Sequence, residues 1–239
     1  MFERSYIVDA QDIDEHGYLS MPVLARYLND IMELNAESYG AGADYHLAQN
    51  LAWVLVEYQI DIQRLPGEDE IITVGTLPYA FKRMMGYRKY RILDEVGNPL
   101  IKGKGKFMLI NLSSKEIVRP SRELLEKFTD AKIGETLPFP KWKVDNKREL
   151  SRHDYKVNAA DIDVNGHVNN ASYIRMLCDA FSDTVPFHKT EKLFVKYKKE
   201  AFEGDALTFR LYSCDQGYYS TIEKNDDIVT EALFQALER

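Results

Sequence analysis

Cysteine is scarce: Cys178 and Cys214 are the only two in 239 residues, and they lie far apart. Two isolated thiols build neither a disulfide framework nor a metal site, and they suit a reducing cytosol. Histidine is sparse too, and positions 16, 46, 153, 167 and 188 show no metal-ligand spacing. No metal and no cofactor is expected. No apolar run approaches a membrane span. The opening Met1-Phe2-Glu3-Arg4 lacks the basic-then-apolar pattern of a secretory signal, so a cytoplasmic location is expected. Basic charge is in deficit: 31 Lys and Arg face 38 Asp and Glu, a net charge of −7 that disfavours general nucleic-acid affinity. Also missing are a G-x-S-x-G elbow, a P-loop, a dinucleotide fingerprint and H-E-x-x-H. The length suffices for a core without staples, as one large domain or two ordinary ones.

What is present is a repeat. Tyr6–Asp30 and Tyr155–Asp179, offset by 149 residues, share ten of 25 positions without a gap. A match that includes D-I-D and Gly17/Gly166 points to duplication, and the period is too long for a solenoid. Residues 1–130 form one expected domain and 149–239 a second. A linker at 131–148 carries Gly134, Pro138 and Pro140.

Each half reads as a short strand, the D-I-D loop, a helix and then strands. Ser20 and Pro22 suit a helix start, and Leu24, Tyr27, Leu28, Ile31 and Asn35 follow helical spacing. In the second half Asn169 or Asn170 can cap, ahead of an apolar stripe at Tyr173, Ile174, Leu177 and Phe181. Strands are expected over Leu51–Ile62, Glu70–Leu77, Met84–Leu93 and Leu100–Leu112. A short helix is expected near Ser121–Phe128. The second-half strands are Lys192–Phe202, Ala206–Cys214, Tyr218–Glu223 and Ile228–Leu237. In Ile101–Phe107 the period of two sets Gly103 and Gly105 on the apolar face and Lys102, Lys104 and Lys106 on the other. Two glycines there suit a close backbone approach, as where a curved sheet wraps a helix tightly, or a local bulge. The first alternative is the hotdog architecture, and two hotdogs commonly join edge to edge.

The densest polar cluster, Asp161–Asn170, lies in the loop entering the second helix. A histidine among carboxylates and amides can exchange protons near neutral pH, and a helix N-terminus offers N–H groups to an oxyanion. On composition alone, the same residues also make an Asx-rich turn. At the positions of Asn165, His167, Asn169 and Asn170 the first half has His16, Tyr18, Ser20 and Met21. Asp14 and Gly17 persist while the proton-transfer set is replaced, which suggests one active half.

The motif D-x-N-x-H-V-N-N-x-x-Y, from Asp163 to Tyr173, resembles the active-site motif of acyl-ACP thioesterases of plant plastids and bacteria. Val195-Lys-Tyr-Lys-Lys-Glu200-Ala201 resembles that family's L-E-Y-R-R-E-C segment, with Ala201 at the cysteine position. Trp53-Val-Leu and the Arg119-Pro120-Ser121 region are also similar. The resemblance implies an α+β double hotdog with Asp163, Asn165, His167 and Glu200 catalytic in the second half. It implies an acyl-chain pocket in the first half, for which Leu24, Tyr27, Ile31 and Met32 are candidates; Asn169 and Asn170 would bind substrate at the helix start. The implied reaction is hydrolysis of fatty acyl-[acyl carrier protein]. An acyl-CoA thioesterase or a non-catalytic acyl-binding module are the alternatives. With no thiol at position 201, a carboxylate/imidazole mechanism is favoured. The acidic carrier would need a basic patch; candidates are Lys82, Arg83, Arg88, Lys89 and Arg91, then Lys189, Lys192, Lys196, Lys198 and Lys199, and the Lys102/Lys104/Lys106 stripe. A homodimer is one assembly compatible with the sequence, which does not set the oligomeric state.

Overall fold

The computed structural model describes residues 1–139, 141–163 and 166–236. The first half runs β1 (Phe2–Ile7), α1 (Met21–Ser38), α2 (Ala43–Ala48), β2 (Leu51–Ile62), β3 (Ile71–Lys82), β4 (Met85–Leu93), β5 (Pro99–Asn111) and α3 (Arg122–Lys127). After β6 (Lys132–Ile133), the second half runs β7 (Arg148–Lys156), α4 (Asn170–Phe181), β8 (Lys192–Tyr197), β9 (Ala206–Cys214), β10 (Gly217–Lys224) and β11 (Asp227–Gln235).

Among the described residues these strands form one sheet in the order β1-β3-β4-β5-β2-β8-β11-β10-β9-β7, with β6 added parallel to β3. The halves meet where β2 pairs antiparallel with β8, from Glu57 opposite Lys196 to Asp61 opposite Lys192. Helices α1 and α4 pack against each other, and one hydrophobic core runs through both halves. This is the double-hotdog arrangement, a helix wrapped by antiparallel sheet in each half. Among the described residues no helix is long and apolar enough to cross a membrane.

The first helix forms because its apolar side chains recur on one stripe: Met21, Leu24, Leu28 and Ile31 are almost fully buried. Pro22 sits in the first turn, where no N–H is needed. Gly40, at φ +62°, ends the run. Its N–H donates to Glu37 O and that of Ala41 to Ala36 O, satisfying carbonyls that the helix leaves over.

Several expectations are corrected. The Gly103/Gly105 face accommodates rings rather than a backbone: a Cβ on Gly105 would lie 2.7 Å from Phe107 Cε2 and 3.1 Å from Tyr90 Cε2. The bulge in this strand pair lies instead on β2, between Leu55 and Glu57. The strand expected over Glu70–Leu77 continues to Lys82, because Pro78 stands at a register shift that excuses its missing donor. The strand expected over Lys192–Phe202 stops at Tyr197, where Lys198 and Lys199 turn away and donate to Val229 O. Helix α2, six residues long, is too short to show a period. Arg88, counted above among surface cations, is buried on β4 and donates to Asn35 Oδ1 and Thr76 Oγ1. Pro140 and Leu237 lie outside the described residues.

Between β6 and β7, residues Pro138, Phe139 and Trp142 lie against the sheet. Lys104 Nζ donates to Pro138 O at 2.9 Å, and Lys106 sits 4.8 Å from the Phe139 ring. Trp142 packs on Phe194 and Tyr219, with the Lys196 ammonium 4.3 Å from its ring. Two of the three lysines in the outward stripe therefore hold chain rather than face solvent alone.

Candidate active site

The loop into each helix is built twice on one plan. In the second half a turn at Ala159–Asp161 is closed by Asn158, and buried Asp161 accepts from Tyr155 Oη, the Asn158 N–H and Arg175. The Asp161 carbonyl then receives the Asn169 N–H at 3.0 Å, which sets the helix start. Asp163 N donates to His167 O at 2.8 Å, and Gly166 takes φ +81°, so Asp163 and His167 lie side by side across a reversal of the chain. Asp163 Oδ1 accepts the His167 N–H at 3.4 Å.

That reversal presents His167 to the turn after β8. His167 Nε2 stands 3.4 Å from Glu200 Oε2, and the Phe202 ring meets the imidazole edge-on at 5.1 Å. The imidazole is mostly shielded, whereas the carboxylate is about one-third exposed. Asn169 caps α4 by accepting the Ala171 N–H at 2.8 Å. The first N–H groups of a helix have no carbonyl partner within it, so this end can receive an oxyanion.

A cavity of about 500 Å³ adjoins these groups. The second half lines it with Asp163, His167, Asn170, Tyr173 and Glu200, and the first half with Ala52–Val56 and Lys115. It lies beside the β2–β8 seam, so both halves wall it. Burial pushes the Tyr173 and Tyr197 phenols well above their ordinary range. Tyr197 Oη donates to Asn170 O at 3.1 Å, whereas the buried Tyr173 Oη has no hydrogen-bond partner among the described residues.

A second cavity of about 250 Å³ shares Ala52 and Trp53 with the first and continues into the first half, between Met32, Leu47, Phe81 and Phe107. Of the four α1 candidates, Met32 lines this cavity. Leu24, Tyr27 and Ile31 lie in the core, and Tyr27 Oη donates to Asp12 Oδ2 at 2.7 Å. Asp163, His167, Asn170 and Glu200 come together around the larger cavity, while Asn169 serves the helix cap. Asn165 lies outside the described residues. Sequence reading missed Lys115 and the dividing place of Trp53. A lysine in a turn carries no local sign of a site some fifty residues downstream. Among the described residues no cluster of three His, Cys, Asp or Glu could hold a metal ion.

Comparison with known proteins bears on the whole chain. Residues 1–128 match the model of the acyl-ACP thioesterase N-terminal domain, and residues 144–232 that of the C-terminal domain. An acyl-ACP thioesterase from Bacteroides thetaiotaomicron superposes with a TM-score of 0.81 at 22% identity, covering 98% of this chain and 96% of the other. The 12:0-ACP thioesterase from Umbellularia californica gives 0.82 at 16% identity, covering 100% and 97%. These likenesses establish the fold. The oleoyl-acyl carrier protein thioesterase of Coriandrum sativum chloroplasts is 20% identical over 86% of this chain, and the match spans 61% of that relative's length. With both halves matched in order and the fold shared throughout, the chain belongs to the acyl-ACP thioesterase family.

Proposed function

We propose that the protein hydrolyses the thioester of a fatty acyl chain carried on acyl carrier protein, releasing the fatty acid and the carrier thiol. The observation that carries this reading is the His167–Glu200 pair at 3.4 Å on the wall of a cavity that shares Ala52 and Trp53 with a more apolar one. Water attacks the thioester carbonyl, and His167 Nε2 takes its proton. Glu200 steadies the imidazolium, and Asp163 fixes the histidine backbone. The N-terminus of α4 faces the oxyanion. Collapse breaks the C–S bond, and the departing thiolate takes the proton back from His167. Ala201 occupies the place of the family's cysteine, and burial pushes the thiols of Cys178 and Cys214 up, so neither is a ready nucleophile. The acyl chain runs past Trp53 into the first-half cavity. The acidic carrier meets exposed Lys198 and Lys199 near the entrance, with Lys82 and Arg83 on the first half.

Purified protein mixed separately with acyl-carrier and acyl-CoA thioesters, with the released thiol followed over time, tests the reading. Release from the carrier substrate at the higher kcat/KM is expected. Faster release from acyl-CoA overturns the choice of carrier, and tight binding of acyl-carrier without thiol release overturns hydrolysis.

A further inference from the structure

Lys115 touches both members of the pair. Its Nζ lies 3.3 Å from His167 Nε2 and 3.6 Å from Glu200 Oε2, although it belongs to the first half, in the turn after β5. That turn is tied down. Asn111 Oδ1 accepts the N–H groups of Ser113 and Ser114 and an amide N–H of Asn50. Asn111 N donates to Glu116 O, and Lys115 N to Asn111 O. Lys115 itself sits at φ +58°, a conformation that a residue with a Cβ rarely takes. The chain thus holds an unfavourable backbone geometry at the residue whose ammonium crosses to the other half's histidine.

The contacts conflict, and the conflict is informative. An ammonium has donors only, so its approach to Nε2 needs the lone pair of that nitrogen and puts the imidazole proton on Nδ1. Glu200 approaches the same nitrogen, and a hydrogen bond there needs a proton on Nε2. One neutral ring cannot satisfy both. The two contacts fit two successive states of one histidine.

We propose that Lys115 is a positioning residue of the active site that selects the base form of His167. In the resting protein its ammonium occupies the Nε2 lone pair, which keeps the ring proton on Nδ1, and anchors Glu200; incoming water takes the ammonium's place at that lone pair. When His167 takes the proton from water, Nε2 becomes a donor. The imidazolium turns to Glu200, and the ammonium, already displaced from Nε2 by the water, keeps the carboxylate. Each half then supplies part of one proton-transfer unit. The kinetic part of this proposal rests on the hydrolase reading; the tautomer does not.

The test pairs a spectrum with kinetics on the full-length protein. Histidine is labelled with ¹⁵N, and the His167 ring is assigned by the signals lost in His167→Gln. At a pH where the ring is neutral, the wild type should carry its proton on Nδ1, and Lys115→Met should move it toward Nε2. With the acyl-carrier substrate, Lys115→Met should lower kcat about 10- to 100-fold, the scale of a lost hydrogen bond to a charged group. KM should stay within about twofold, and Lys115→Arg should recover most of the rate. A wild-type ring protonated on Nε2 overturns the proposal whether or not any thioester is cleaved. So does a Lys115→Met variant whose KM rises while kcat holds. An Nδ1-protonated ring in a protein that cleaves no thioester would sink the hydrolase reading and leave the tautomer assignment standing.

Discussion

The two D-I-D loops share a frame and differ in every reactive group. Asp14 N donates to Tyr18 O as Asp163 N does to His167 O, and Gly17 and Gly166 take φ +79° and +81°. Leu19 N donates to Pro66 O and Val168 N to Ala201 O, so Pro66 stands where Ala201 does and Leu65 where Glu200 does. Leu65 is buried in the core. Tyr18 replaces the histidine, and the His16 and His188 rings lie 3.8 Å apart, tilted by 46°. The backbone reversal is therefore a folding device that both halves need. The proposed proton-transfer groups stand on one copy alone, at the cavity beside the sheet seam.

The frame itself should give the largest effect. Asp161 is fully buried with Arg175, Tyr155 and the Asn158 N–H around it, whereas Asp12 has Arg26 and Tyr27. Asp161→Ala should cost about 3–5 kcal/mol in urea unfolding, the scale of breaking a buried pair. Asp12→Ala should cost less, because it has fewer partners. The reverse order would mean that the first half anchors the fold.

Chemistry comes next. His167→Ala and Glu200→Ala should each lower kcat by about 100-fold or more, the scale of a general acid–base group. His16→Ala should leave turnover unchanged. Equal losses at His16 and His167 would end the division into one reactive and one inert loop.

Chain-length preference follows. Substitutions that widen the wall at Trp53 or the far cavity at Met32 should shift the optimum along a graded acyl series, at about 0.8 kcal/mol per methylene newly accommodated. Leu24→Ala and Ile31→Ala should reduce stability with the profile unmoved. A profile that follows Leu24 and Ile31 instead would place the chain against α1's core face.

The smallest effect lies in the first-half loop. Burial and the neighbouring His16 hold His188 below its ordinary 6.5, with Asp14 and Glu15 pulling the other way and Lys189 adding to the depression. An unfolded chain binds that proton more readily, so stability is complete above about 6.5 and falls as pH drops through the folded value. His188→Gln should flatten this acid-side slope in thermal melts. An unchanged slope would show that the surroundings of His188 do not depress its proton affinity.

Much of this architecture could be read from the chain. Ten identities at a fixed offset located both loops and both helices, because the frame residues Asp12/Asp161 and Gly17/Gly166 are set by backbone geometry. Glu200 was found only through its resemblance to a known segment; strand alternation alone would have made it an outward carboxylate paired with lysine. In the structure it leaves the strand and turns to the cavity. Lys115 was out of reach because its role depends on two halves meeting, which no local pattern records. The α1 stripe was legible as buried, but periodicity does not distinguish a residue facing the core from one facing a hole. That difference separates Ile31 from Met32.

The β2–β8 seam joins two copies of one fold as a symmetric pair of separate chains would be joined. In such a pair every change is made twice, and any group lent to the partner's site is lent in both directions. Fusion into a single chain lifts that obligation. Lys115 can serve one histidine without a mirror-image lysine intruding on the other loop, and the first half can bury Leu65 where the second has Glu200. Covalent linkage thus lets an arrangement with near-twofold symmetry have a front and a back.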